Sequence, residues 1–522
     1  MTTLDASRRL FLRQAGALSA AGAAAAPIAL NMAAIGSAAA QSASDYKALV
    51  CIFMFGGNDS LNMILPTDTA SWTNYTTVRN QAPDSIALMG PGTAAVPGAA
   101  VGSPARLGGV LPIVPATARA APGGGTQTFA LHPMMSALQT MFNTDKRLAI
   151  LANVGPLIQP TTKAQYSDPK FQKPASLFSH NDQQNTWQSF RPEGATVGWG
   201  GRMADLLASQ NGRAIFTSIS AAGNAVWLSG QTIQQYQVGS NGAIRLGSDS
   251  AGKVYGSTDV AASLQRIVAS TRGGHVFETD LAAVSQRSMD AELTLRTALK
   301  APSDPLFGTA PASGAYNANA DPKLQYDNPL TGAKAFNSLA QQLQVVARMV
   351  DASSAAGVGA KRQVFFVSIG GFDSHDNENR NNADLMARLA HAMRYFDTAL
   401  GAMGAQSKVT AFTASDFGRT FTSNGDGTDH GWGAHHFVMG GAVKGGDIYG
   451  NVPVLGAKNA NNNNFDSSPN QIGNGSLLPE TSVDQLGATL ARWFGVSDTD
   501  ALAVFPNLAN FDASARNLGF MA

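Results

Sequence analysis

The run YKALVCIFMF, Tyr46–Phe55, followed at once by Gly56-Gly57-Asn58-Asp59, decides the fold. It is apolar from Ala48 onward, rich in β-branched and aromatic residues, and does not alternate with polar ones. A strand buried on both faces reads this way, and a glycine turn at its end marks a central strand of a parallel sheet. Two further runs follow the same pattern. VFFVSIGGFDSH, from Val364, closes on Gly370-Gly371, and KVTAFTASDFG, from Lys408, closes on Asp416. HHFVMGGAV, from His435, is a candidate fourth strand and KRLAILANVG, from Lys146, another. Helical spacing of apolar residues marks LHPMMSALQTMFNTD (131–145), ADLMARLAHAMRYFDTALGAM (383–403) and TSVDQLGATLARWFGV (481–496). Strands alternating with helices predict an α/β fold, a mainly parallel central sheet flanked by helices. Residues 84–129, rich in Pro, Gly and Ala, read as a long surface loop, and 203–352, mostly helical in pattern, as a helical insertion or cap.

Composition narrows the function classes. With 522 residues and 44% hydrophobic content the chain can bury a large core, and 41–522 is read as one domain. The net charge of +1 gives no electrostatic reason to bind nucleic acid. Cys51, the single cysteine, excludes an intramolecular disulfide framework and any multi-cysteine metal site, which leaves histidines and carboxylates as metal ligands. At the N-terminus, SRRLFLR (Ser7–Arg13) precedes a weakly apolar Ala/Gly stretch and the small pair Ala38-x-Ala40. Residues 1–40 resemble a twin-arginine export signal, cleaved before Gln41, which implies a periplasmic or extracellular protein. No later apolar run rivals this one, so no stable membrane span is expected after cleavage.

In an open α/β sheet, ligands bind beyond the C-terminal strand ends. Three such ends carry aspartate: Asp59, Asp373 and Asp416. His375 lies two residues after the second, Asp429-His430 and His435-His436 follow the third, and five of the eight histidines fall between 375 and 436. Carboxylates with imidazoles on converging loops suit one or two divalent cations. Each residue also has a plainer reading. An aspartate after a strand caps the next helix, neighbouring His435 and His436 point to opposite faces of a strand, and Arg419 either pairs with a carboxylate or binds an anion.

FMFGGNDSLN, LHPMMSAL, GGFDSHDN, SDFGRT and GTDHGWGAHHFVMGGAVKGG, in this order, together with the export signal and the closing TLARWFGV, resemble the bacterial family called domain of unknown function 1501. That family is similar to the alkaline phosphatase and sulfatase superfamily, and the resemblance implies a large α/β domain with metal ligands on strand-end loops. It implies Asp59 as the first metal aspartate, Asp373 and His375 as the pair of another metal position, Asp416 as the aspartate of an Asp-His pair, and His430 as the late histidine. The chain departs from the pattern at Phe417, where the superfamily has the histidine of that pair. Asp416 also departs from the family's usual glutamate. The nucleophile region corresponds to SLFSHNDQQNTWQSF, where Ser179 and Thr186 are the candidate hydroxyls and His180 and Asp182 candidate local ligands.

Two readings follow. One is an exported hydrolase of phosphate or sulfate esters. It would use zinc, manganese, calcium or magnesium on Asp59, Asp373, His375, Asp416 and His430, with Arg419 stabilising a small anionic ester and a hydroxyl or water attacking. The other is a non-catalytic exported protein that binds a partner on a degenerate version of the same fold.

Overall fold

The structure, a computed structural model, describes residues 45–240, 242–244, 252–270 and 275–522, so the export-signal reading of 1–40 lies outside the described residues. Among the described residues, ten strands form the central sheet: β1 (Lys47–Phe55), β2 (Leu148–Gly155), β3 (Ser218–Ser220), β4 (Tyr236–Gly239), β5 (Gly242–Ala243), β6 (Arg362–Gly370), β7 (Val409–Ser415), β8 (Ala434–Met439), β9 (Ile448–Tyr449) and β10 (Thr481–Ser482). They run in the order β9-β2-β8-β7-β1-β6-β3-β4-β5, with β10 also beside β2. β1 is central and parallel to both neighbours, Cys51 standing opposite Phe366 on one side and Phe412 on the other. That placement explains its unbroken apolar sequence.

The larger helices are α1 (Thr69–Arg79), α2 (Ser136–Asn143), α3 (His180–Ser189), α4 (Trp199–Leu207), α5 (Thr258–Val268), α6 (Val276–Ala298), α7 (Ser338–Asp351), α8 (Glu378–Ala402) and α9 (Val483–Phe494). Successive β1 side chains enter opposite layers. Val50, Ile52 and Met54 join the apolar cluster containing Leu138 of α2, Leu343 of α7 and Leu389 of α8. Leu49, Cys51 and Phe53 join the one containing Met203 of α4 and Leu486 of α9. The result is a mixed α/β fold whose mostly parallel sheet is covered by helices on both faces. α9 begins with a reciprocal cap between Ser482 and Gln485, a sequence-local reason for its start.

Two regions differ from the sequence reading. β8 runs antiparallel to both β7 and β2. The connection from Asp416 to Gly433 contains a hairpin, Arg419–Ser423 paired with Thr428–His430, and no helix, and a parallel return needs a longer crossover. The span 203–352 is not helical throughout: it supplies β3, β4 and β5 to one side of the sheet before α5 and α6, and α7 packs on the sheet itself. Strands of two to four residues are too short to show a period. Within 84–129 the chain is mainly irregular, with a short helix at Pro104–Leu107 and a strand at Leu111–Ile113 paired to Phe129–Leu131. Among the described residues, no helix is long and apolar enough to cross a membrane.

Candidate functional site

The C-terminal ends of β1, β6 and β7 lie side by side, Phe55 opposite Gly370 and Met54 opposite Ser415. The segment leaving β6 folds against the end of β1, with the Phe372 N–H donating to the Phe55 carbonyl at 3.1 Å. Gly56 makes this approach possible. Its φ is +117°, and a Cβ there would stand 2.3 Å from the Asp373 nitrogen. Asp373 is thereby carried to the rim, where its carboxylate is 42% exposed. His180, the first residue of α3, and His430, from the hairpin, arrive from outside the sheet.

Three imidazoles surround this carboxylate. Nε2 of His180 lies 3.4 Å from Oδ2 of Asp373, while Nε2 of His375 and of His430 lie 3.0 and 3.4 Å from Oδ1. Each ring turns its other nitrogen to an oxygen. His180 Nδ1 is 2.7 Å from Oδ2 of Asp416, His430 Nδ1 is 2.7 Å from the Phe178 carbonyl, and His375 Nδ1 is 3.3 Å from Oδ1 of Asp429. An Nδ1–H donating to Asp416 from His180 and to the Phe178 carbonyl from His430 assigns the tautomer of these two rings and leaves their Nε2 lone pairs facing inward. The Nε2 atoms of His375 and His430 are 3.1 Å apart. Two lone pairs at that separation repel unless a proton or a cation lies between them. Ligand atoms of His180, Asp373 and His430 all fall within 4.8 Å of one another, the spacing of a possible His/Asp metal site.

The electrostatics follow from these contacts. The hydrogen bond to Asp416 raises the pKa of His180 against the opposing effect of burial, whereas burial lowers that of His430. Burial works to raise the Asp373 pKa, but the hydrogen bond and charge of Arg419, with His375 and His180, outweigh it and hold the carboxyl below its ordinary value. Asp416 is fully buried. Its Oδ2 accepts from His180, from Gln184 at 2.8 Å and from the Gly56 N–H at 3.2 Å, while its Oδ1 has no hydrogen-bond partner.

Of the residues singled out in the sequence, Asp373, His375, His430 and Asp416 come together here, Asp416 behind His180. Asp59 does not join them. It is fully buried, caps the short helix Ser60–Met63 through the Leu61 N–H, and forms two bonds of 2.5 and 3.0 Å to Arg79. The strand-end positions are taken instead by Gly56 and Gly57, and a Cβ on Gly57 would collide with the Phe417 ring at 2.3 Å. That ring packs on His180 and His430, with centroids 4.8 and 4.6 Å away, so Phe417 walls the site where a further ligand is expected. Arg419 is also placed otherwise than as an ester ligand. Its side chain has no exposure and is engaged by Asp373 at 2.7 Å, the Thr428 hydroxyl at 3.2 Å and the Thr428 carbonyl. It positions Asp373. The candidate hydroxyls face elsewhere: Ser179 engages Asp182, and Thr186 donates to the Asp182 carbonyl within α3 at 2.7 Å. His435 and His436 are both buried in β8, where burial pushes their pKa values down to about 4 and about 3, as neutral structural imidazoles.

His180 entered the sequence reading only as a local ligand within SHND; the structure makes it a central member. It lies 236 positions from Asp416 in sequence, and no local spacing links the two.

Comparison with known families matches residues 46–502 to the family described as protein of unknown function (DUF1501). The chain belongs to that family. No curated protein matches it in sequence. Solved structures similar to the chain include Ps i-CgsB in complex with k-i-k-neocarrahexaose, 8% identical, with 90% of this chain and 77% of that one covered at a TM-score of 0.34. The PsFucS1 sulfatase from Pseudoalteromonas sp. is 9% identical, with coverages of 94% and 75% and a TM-score of 0.33.

Proposed function

We propose that the protein is an exported hydrolase of phosphate or sulfate esters, built on an alkaline phosphatase-like sheet, that works with one divalent cation held by His180, Asp373 and His430. The convergence of three imidazole Nε2 atoms on one carboxylate, each ring backed by an oxygen on Nδ1, carries this reading. Histidines that bind metals are oriented by such outer oxygens. Two imidazoles with a carboxylate suit zinc or manganese better than calcium or magnesium, which favour all-oxygen surroundings. The unpartnered, buried Oδ1 of Asp416 marks a second carboxylate in the same wall with capacity to spare.

A bound cation would supply Lewis acidity toward an ester oxygen and make water more acidic. The chain's own residues supply the rest. Arg419 fixes Asp373, Asp416 fixes the His180 ring, and the Phe178 carbonyl fixes His430. His375, half-exposed and backed by Asp429, is the group able to carry a proton to a leaving alkoxide. With Ser179 and Thr186 turned to Asp182, water is the nucleophile in this reading.

One observation favours the alternative, a non-catalytic exported binding protein: Gly56, Gly57 and Phe417 stand where a two-metal site needs ligands. The deciding experiment measures metal in the mature protein purified without chelator, beside Asp373→Ala/His430→Ala, and then screens phosphate and sulfate esters with the retained ion. Stoichiometric metal lost in the variant, with ester turnover, supports the hydrolase. Metal without turnover, or a folded protein that takes up none, supports the binding protein.

A further inference from the structure

We infer that the protein forms a two-fold dimer in which helix α6 of one copy packs antiparallel on α6 of the next, a property separate from the function proposed above. α6 spans 23 residues, about 34 Å at a helix's rise per residue. Positions 277, 281, 284, 288, 291 and 295 follow at alternating spacings of four and three and so form one stripe. At its C-terminal end this stripe enters the core, Ala291 and Leu295 being 1% and 0% exposed. Toward the N-terminus exposed Ser288 interrupts it, and beyond that residue the stripe is apolar and in solvent: Phe277 is 77% exposed, Leu281 64% and Val284 49%. Val276 and, on the adjacent α5, Val260 and Ile267 are exposed as well. Single exposed apolar residues are ordinary, but six on two neighbouring helices form a patch. Together they present on the order of 600 Å², against the ~800 Å² each partner contributes to a standard-size interface.

A second copy fits the patch better than other occupants. A stripe at heptad spacing is self-complementary when two helices pack across a two-fold axis. Asp280 and Arg287 lie on the same flank of the stripe. In an antiparallel pair with its axis between Ala283 and Val284, like flanks meet, and each Asp280 faces the Arg287 of the other copy. A lipid surface fits less well, because α6 carries Glu278, Asp280, Asp290 and Glu292 against Arg287 and Arg296, and anionic membranes attract basic helices.

The test is the solution mass of the mature chain by light scattering and sedimentation up to about 100 µM, a range that detects micromolar association. Twice the chain mass is expected for the wild type, with the apparent Kd of Phe277→Glu/Leu281→Glu raised at least ~100-fold at unchanged circular dichroism, since both residues are exposed. Val284→Cys is expected to form a chain-to-chain disulfide under mild oxidation, and Leu293→Cys, exposed but off the stripe, is not. Cys51 is 2% exposed, so it contributes no background. A monomeric wild type, a dimer that survives the double glutamate variant, or equal crosslinking at 284 and 293 overturns the inference. So does a monomer that sediments with anionic vesicles through this stripe.

Discussion

Replacing Arg79 with methionine exposes what holds Asp59. Arg79, Asp59 and Glu378 are all fully buried, one guanidinium among two carboxyls. Arg79 makes two bonds to Asp59 and donates to the Phe421 and Thr420 carbonyls at 3.1 and 3.0 Å. Charge balance leaves one proton in the cluster. It resides on Glu378, whose pKa is pushed well up by burial and by Asp59, while Arg79 outweighs burial to hold the Asp59 carboxyl down. Arg79→Met keeps most of the volume but strands a buried carboxylate, which costs about 3–5 kcal/mol at pH 7.

The pH profile separates this loss from a packing defect. In the wild type the depressed Asp59 contributes stability present above the unfolded carboxylate pKa, and in the variant the unpaired group is raised, so stability falls as pH climbs past about 4. The gap between the two proteins therefore opens with rising pH and closes in acid. Denaturant unfolding of wild type, Arg79→Met and Asp59→Asn/Arg79→Met between pH 4 and 8 reads it directly, the double variant regaining at least half of the loss. A single variant within about 1 kcal/mol of wild type at pH 7, or a gap independent of pH, would refute the assignment of Asp59 to Arg79.

Asp59→Asn leaves metal content at the wild-type level, whereas His180→Ala and His430→Ala each remove the ion; plasma mass spectrometry of purified proteins distinguishes them. Asp416→Asn keeps the three ligand side chains but loosens the hold on the His180 ring, and competition with a chelator should show affinity lowered about 10–100-fold. Asp484, fully buried at the start of α9, has its pKa raised by burial to about 6 despite bonds from Asn507 and Ser482. Its unfolded form deprotonates first, so it removes about 3 kcal/mol of stability as pH rises from about 4 to about 6, and Asp484→Asn flattens that part of the profile. Gly56→Ala drives a methyl onto the Asp373 backbone and is expected to lower stability by more than about 2 kcal/mol and abolish metal uptake, seen in thermal unfolding and metal analysis together.

The parallel core of the sheet was legible from residues 46–55, 364–370 and 408–415, because a strand covered on both faces cannot afford polar alternation. Helices α2, α8 and α9 were legible for the same reason: each buries a face whose period the sequence carries. β3 to β5 were not, being too short for any period, and neither was the direction of β8, which depends on the hairpin before it. At the site, Asp373, His375, Asp416 and His430 stood out as polar residues at strand ends and in the histidine-rich stretch.

What separates Asp59 from them is tertiary. Arg79 comes from α1, twenty positions on, and only the packed structure turns it onto Asp59 rather than onto solvent. His180 is the converse case, unremarkable in its own segment until α3 brings it beside Asp416 and Asp373. Sequence by itself determined which strands lie in the core and that carboxylates and imidazoles gather at their ends, since both follow from local patterns of apolar and polar residues. Which side chains form the possible metal site was decided by tertiary structure alone, because such a cluster depends on side chains meeting within a few ångströms, and His180, Asp373 and His430 come from separate segments of the chain.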